Sequence, residues 1–137
     1  MVKYTGPIEW KEEYNVNISV IDEHHKKFLE ILNQLGEISS GGDCNKKISE
    51  IFFSLAHYAE HYLLREEIIF KDYPGFAQHK ASHNKFMDVI TRLHQDYKSG
   101  KDDICIDIYD YLNNWFESHI LEYDKEAVDY LNSKGIS

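Results

Sequence analysis

The chain has 137 residues, 42% of them apolar, and a formal charge of −9 from 24 acidic against 15 basic side chains. That length suits a single domain, residues 1–137, with one core, and the acidity argues against nucleic acid or an anionic membrane surface as partner, since both would repel it. No apolar run approaches a membrane span, and residues 1–20 interleave Lys3, Glu9, Lys11, Glu12 and Glu13 with apolar positions, so no signal peptide is read and a cytoplasmic address is expected.

Residues 1–17 contain Gly6, Pro7, Asn15 and Asn17 and lack helical periodicity; an extended arm anchored by Trp10 is predicted. From Ile18 the apolar positions run Ile18, Ile21, Phe28, Leu32 and Leu35, and His25 fills the slot between Ile21 and Phe28. Ser39, Ser40, Gly41 and Gly42 stop this helix, and Asp43 is placed to cap the next. The second helix lines up Ile48, Phe52, Leu55, Ala59, Tyr62, Glu66 and Ile69 in steps of three and four, so a carboxylate stands in its inward row. Pro74 and Gly75 make a turn, after which Phe76, His79, His83, Phe86, Ile90, Leu93 and Tyr97 form the inward row of a third helix. Lys98 to Lys101 and Asp102 or Asp103 link it to a fourth, which aligns Ile104, Ile108, Leu112, Trp115 and His119, with Asp124 five residues later. Long amphipathic helices joined by short polar connections predict an all-α, antiparallel up-down-up-down four-helix bundle, because short loops make sequential helices antiparallel neighbours. Cys44 and Cys105 form neither a disulfide framework nor a metal knuckle and are read as incidental thiols.

The polar residues in the apolar rows carry the chemistry. His79 and His83 lie one turn apart on one helix face, a spacing that suits two ligands of one metal ion. Together with His25, Glu66 and His119 they come from all four predicted helices, and burying that many polar groups without a compensating ion would cost several kcal/mol. The donor set is rich in nitrogen, and no Glu-x-x-His occurs, unlike the ferritin-like di-iron carboxylate proteins.

Trp10 in the arm, IDEHH (21–25), an HY…EE segment (61–67), YPGFAQHKASH (73–83) and HILEYD (119–124) appear in this order, and with them the chain resembles the hemerythrins, particularly the single-domain bacterial ones, over nearly its whole length. The resemblance implies a non-haem di-iron site with five terminal histidines and two bridging carboxylates, carried by His25, His61, Glu66, His79, His83, His119 and Asp124, with an oxo or hydroxo bridge, and it implies reversible O₂ binding. Two six-coordinate irons offer about twelve positions and such a set fills about eleven, leaving one for O₂. Trp10 and Trp115 are expected to line the ligand pocket. The partners expected are O₂ and, as a variant, NO, to a monomer or weak homo-oligomer. The absence of a second catalytic constellation favours a carrier, sensor or store over a di-iron redox enzyme (oxidase, peroxide or NO scavenger), and the lack of an attached signalling domain counts against the sensor.

Helix two departs from the family pattern. The family has His-x-x-x-Glu there, but His61 is followed at four by Arg65, and Glu66 comes at five. Either His61 reaches the metal through a one-residue π-bulge, or Tyr62, which the three-four periodicity turns inward, takes its place. Imidazole being the expected ligand favours His61, and Tyr62 stays open as a ligand or neighbour of the site. His24, His57 and His94 are read as solvent-facing or outside the ligand set, and Glu67 as a surface charge.

Overall fold

The computed structural model describes residues 6–15, 18–41, 44–101 and 103–135; the side chains of Asn45 and of residues 120–124 lie outside that description. The first long helix, α1, is Ser19–Ser40, ended where the Gly41 N–H bonds back to the Glu37 carbonyl. The second, α2, runs as Cys44–Tyr58, passes through a π-helical stretch Ala59–Leu63 and closes as Leu64–Ile69. The third, α3, is Phe76–Lys98. The fourth, α4, runs as Ile104–Trp115, continues as a π-helical stretch Phe116–Tyr123 and ends as Asp124–Ser133. α1 packs against α2 and α4, and α3 against α2 and α4, which is the antiparallel up-down-up-down bundle read from the sequence, with no strand among the described residues. No helix among the described residues is long and apolar enough to cross a membrane.

Two glycines set the ends of α3. At Gly75, an added Cβ would stand 2.7 Å from the Tyr73 ring, so any larger residue would have to push that ring out of the turn that launches α3 just before His79. Gly100, at φ +87°, makes the left-handed exit from the same helix. Asp43 and Asp102, two of the expected capping and linker residues, lie outside the described residues.

The arm is fastened to α1 by a two-point amide clip. The Ile8 N–H donates to Asn33 Oδ1 at 2.8 Å and Asn33 Nδ2 donates to the Ile8 carbonyl at 2.9 Å. Trp10 adds an edge-on contact with Tyr14 at 5.3 Å and lies under the Lys26 ammonium, also at 5.3 Å, while Tyr14 meets Phe116 edge-on. A single 3₁₀ turn, Glu12–Tyr14, interrupts what periodicity alone gave as extended chain, because it brings the Tyr14 ring onto the bundle.

Cys44 and Cys105 are joined as a disulfide, with Cα atoms 6.0 Å apart, which corrects the expectation of two free thiols. The pair is separated by 61 residues and meets only because α2 and α4 run in the same direction, so their first turns lie at the same end of the bundle. Spacing in the sequence carries no trace of that.

The apolar interior falls into two clusters. The larger includes Phe28, Leu32, Leu35, Ile48, Leu55, Leu63, Phe86, Ile108, Leu112 and Trp115; the smaller includes Ile18, Ile21, Phe70, Ala127, Val128 and Leu131. Following each helix from one cluster to the other crosses the same kind of residue. α1 passes from Ile21 through His25 to Phe28, α2 from Leu63 through Glu66 to Phe70, α3 from Phe76 through His79 and His83 to Phe86, and α4 from Phe116 through His119 to Ala127. A buried polar layer thus divides the core.

Candidate metal centre

Each helix places its polar residue in that layer by the register of its apolar row. His79 and His83, four apart on α3, are both buried, and their rings meet edge-on at 4.6 Å. His119 comes in from α4, with its ring 5.1 Å from each of the other two. His79, His83 and His119 each offer a ligand nitrogen, all within 4.8 Å of one another, and they are the group able to hold a metal ion among the described residues. The Nε2 atoms of His83 and His119 stand 3.2 Å apart. Two nitrogens bound about 2.1 Å from one ion at right angles to each other lie about 3.0 Å apart. The pair therefore already has the bite of two adjacent ligands of one metal.

Across the layer His25 Nε2 faces Glu66 Oε1 at 3.8 Å, both side chains 1% exposed. A carboxylate so deeply buried is costly unless charge or hydrogen bonds compensate it, and an imidazole beside it supplies part of that compensation. Its sequence neighbour Glu67 turns the other way. Its Oε1 stands 3.8 Å from His83 Nδ1 with the side chain only 13% exposed, so Glu67 belongs to the edge of the layer and is not the surface charge read from the sequence. Consecutive residues on α2 thus address His25 on one side and His83 on the other.

The wall around the triad is aromatic. Trp115 stacks on His119 with centroids 3.9 Å apart and planes 10° apart, and Phe86 lies 4.6 Å from Trp115. Phe70 covers His79 at 4.9 Å. Trp115 therefore stands against the cluster, whereas the contacts of Trp10 are with Tyr14, Asn15 and Lys26 on the arm side.

On α2 the π-helical stretch falls where a bulge was foreseen, Ala59–Leu63. His61 nevertheless stands exposed, its ring 4.1 Å from that of His57, which is also exposed. Tyr62 is half-buried against His24 at 4.8 Å and Tyr58 at 5.3 Å. The deep position next to Ala59 goes to Leu63, because the extra residue of the π turn rotates the row by one place. The structure thus brings together His25 with Glu66, and His79 with His83 and His119, and leaves His61 on the outer face. Asp124 opens the last segment of α4, and its side chain lies outside the described residues.

His24 is 1% exposed, which removes the solvent-facing reading; it is held inside because α1 directs two successive residues at α2. His57 is exposed as read, and His94 is half-buried against Phe52. Ser82, which periodicity did not single out, reaches His119 Nδ1 with its Oγ at 2.9 Å. A serine between two metal-spaced histidines has no signal of its own in the sequence, since its role depends on another helix.

The hemerythrin HHE cation binding domain matches residues 16–131 of the chain. Among similar proteins, the bacteriohemerythrin of Clostridium acetobutylicum is 29% identical over 126 residues, covering 88% of this chain and 98% of that one. The bacteriohemerythrin of Methylococcus capsulatus is 25% identical over 82% of this chain and 87% of its own. Hemerythrin subunit 2 of Golfingia vulgaris is 24% identical over 86% and 88%.

Proposed function

Because the chain belongs to the hemerythrin HHE cation-binding family, we propose that it binds O₂ reversibly at a non-haem di-iron centre, as a carrier, store or delivery protein. The observation that supports this best is the 3.2 Å separation of His83 Nε2 and His119 Nε2 inside a fully buried three-histidine group. The donor set fits the metal as well as the geometry does, since imidazole suits iron and carboxylate can bridge. His79, His83 and His119 would hold one iron, and His25 the other, with Glu66 and Asp124 as bridging carboxylates. Bound, the iron pair would supply two electrons and an open coordination position for O₂, with an oxo or hydroxo bridge between the metals.

The chain's own residues give that site its character. Trp115 and Phe70 press on the imidazoles, Phe86 backs Trp115, and the three keep bulk water away from the histidines. Exclusion of water and free protons is what lets a gas be released unchanged instead of being reduced. NO as a second ligand belongs to the same proposal, and so does a cytoplasmic setting, against which the Cys44–Cys105 disulfide counts because such bonds are rare where thiols are kept reduced.

Helix two decides between this and a second reading. His61 would have to leave its contact with His57 to reach the layer, whereas Tyr62 is already half inside. That placement favours a di-iron redox enzyme, an oxidase or a peroxide or NO scavenger, if a tyrosine phenolate completes the shell, because added negative charge stabilises ferric iron. Metal analysis and visible spectra of His61→Leu and Tyr62→Phe separate the two. Reversible carriage predicts two irons per chain in the native protein, a stable spectrum that comes and goes with O₂, and loss of iron in His61→Leu alone. A tyrosinate charge-transfer band that disappears in Tyr62→Phe, with His61→Leu unaffected, would replace carriage by redox chemistry. One metal per chain, or mainly zinc, would defeat both.

A further inference from the structure

Ligand nitrogens are only half of each imidazole, and the other half is also ordered here. The turn of α3 that carries His83 presents two neighbouring side chains to the His119 ring. His83 meets its Nε2 at 3.2 Å, and Ser82 meets its Nδ1 at 2.9 Å. Trp115 then stacks flat on the same ring at 3.9 Å, which fixes its plane. His119 is therefore gripped on both nitrogens and on one face.

A neutral imidazole carries one proton on one of its two nitrogens, and only the bare nitrogen can ligate. The hydrogen bond made by the far nitrogen selects the tautomer. A serine hydroxyl could in principle donate to Nδ1 or accept from it. Two Nε2 atoms that are to share one metal must both be bare, and a carboxylate oxygen of Glu67, 3.8 Å from His83 Nδ1, stands behind the other nitrogen of that ring. With His119 Nε2 kept for the metal, the proton of that ring belongs on Nδ1, facing Ser82 Oγ at 2.9 Å.

We propose that Ser82 is a positioning residue for the metal centre: its Oγ accepts the Nδ1–H of His119 and so holds Nε2 bare and aimed at the position the metal takes. The proposal rests on the iron-binding reading for its purpose but not for its test. Glu67 plays the corresponding part for His83, one oxygen standing behind the nitrogen that does not ligate. Partners of this kind typically account for about a 10- to 100-fold difference in metal affinity.

The test uses the full chain with Ser82→Ala and Ser82→Thr, iron loading measured against a competing chelator, and ¹⁵N NMR of the histidine rings before metal is added. Wild type should show His119 protonated on Nδ1, Ser82→Ala a mixture of tautomers with iron held about 10-fold or more weakly, and Ser82→Thr, which keeps the hydroxyl, should recover both. A merely structural serine would leave the tautomer unchanged in Ser82→Ala. The proposal is overturned if wild-type His119 carries its proton on Nε2, if Ser82→Ala keeps the wild-type tautomer, or if affinity changes less than about twofold. A wild type that takes up no iron would sink the proposed function alone, because the ring tautomers are read without it.

Discussion

Breaking the Cys44–Cys105 disulfide should lower stability substantially while leaving the metal centre intact. The bond closes a loop of 61 residues, and the chain-entropy relation gives about 4 kcal/mol for a loop of that length. For a chain of 137 residues each kcal/mol moves the melting temperature roughly 3 to 4 °C, so reduction should cost roughly 12 to 16 °C. In urea the midpoint should fall by roughly 2 M or more. The site should not notice. Glu66 lies 22 residues along α2 from Cys44, roughly 33 Å at 1.5 Å per residue, so the bond closes the opposite end of the bundle. Urea unfolding with and without a thiol reductant measures the stability, and Cys44→Ala with Cys105→Ala, loaded with iron, measures the independence of the site. Two titratable thiols in the untreated protein, or a midpoint unmoved by reductant, would refute the bond; lost iron in the double variant would refute the separation.

His83→Ala should lose iron and lower the melting temperature of the loaded protein, since the site links helices and binding free energy adds to folding free energy; unchanged iron by elemental analysis would count against the layer. Phe28 is fully buried among Tyr58, Phe86 and Phe116, so Phe28→Ala should cost about 3 to 5 kcal/mol in urea unfolding, and a loss under about 1 kcal/mol would mean the core is packed otherwise. Burial pushes the Tyr111 phenol up to about 12, with the nearby Arg92 guanidinium pulling the other way. Unfolded, that phenol would ionise near 10. Its contribution is therefore fully present below about pH 10 and lost as pH rises towards 12; because the ring is half-exposed, screening reduces it to about 1 kcal/mol. Tyr111→Phe should flatten stability across that window, and an identical pH profile in the variant would show that the phenol is not responsible.

The bundle was legible because α1 and α3 keep one period from end to end, so Ile18 to Leu35 and Phe76 to Tyr97 could be followed without interruption, and the histidines fell in place as members of those rows. What was not legible depends on contacts between helices. The disulfide needs α2 and α4 to be parallel, the burial of His24 needs Tyr62 across from it, and Ser82 and Glu67 acquire a role only from the Nδ1 atoms of His119 and His83. Helix two shows a different failure. The three-four steps put Tyr62 fully inward, but the π-helical Ala59–Leu63 adds a residue and gives the deep position to Leu63.

That irregularity has a pattern. α1 and α3 contribute His25, His79 and His83 from regular α-helix, whereas α2 and α4, which contribute Glu66 and His119, each carry a π-helical stretch beside or through the polar layer. The π-helical stretches begin the five-residue interval from His61 to Glu66 and span that from His119 to Asp124, yet on α2 the turn leaves His61 on the outer face while Glu66 is buried. A π turn gives up the better-packed α-helical register, so it persists only where the surrounding structure over-determines it. Here the two apolar clusters do so. They fix the rows above and below the layer, Leu63 and Phe70 on α2 and Phe116 and Ala127 on α4, and the extra residue must then be absorbed between them. The same two clusters that isolate the polar layer from solvent are therefore what hold its irregular backbone in place, and a loosened cluster should be felt at the site before it is felt in the fold.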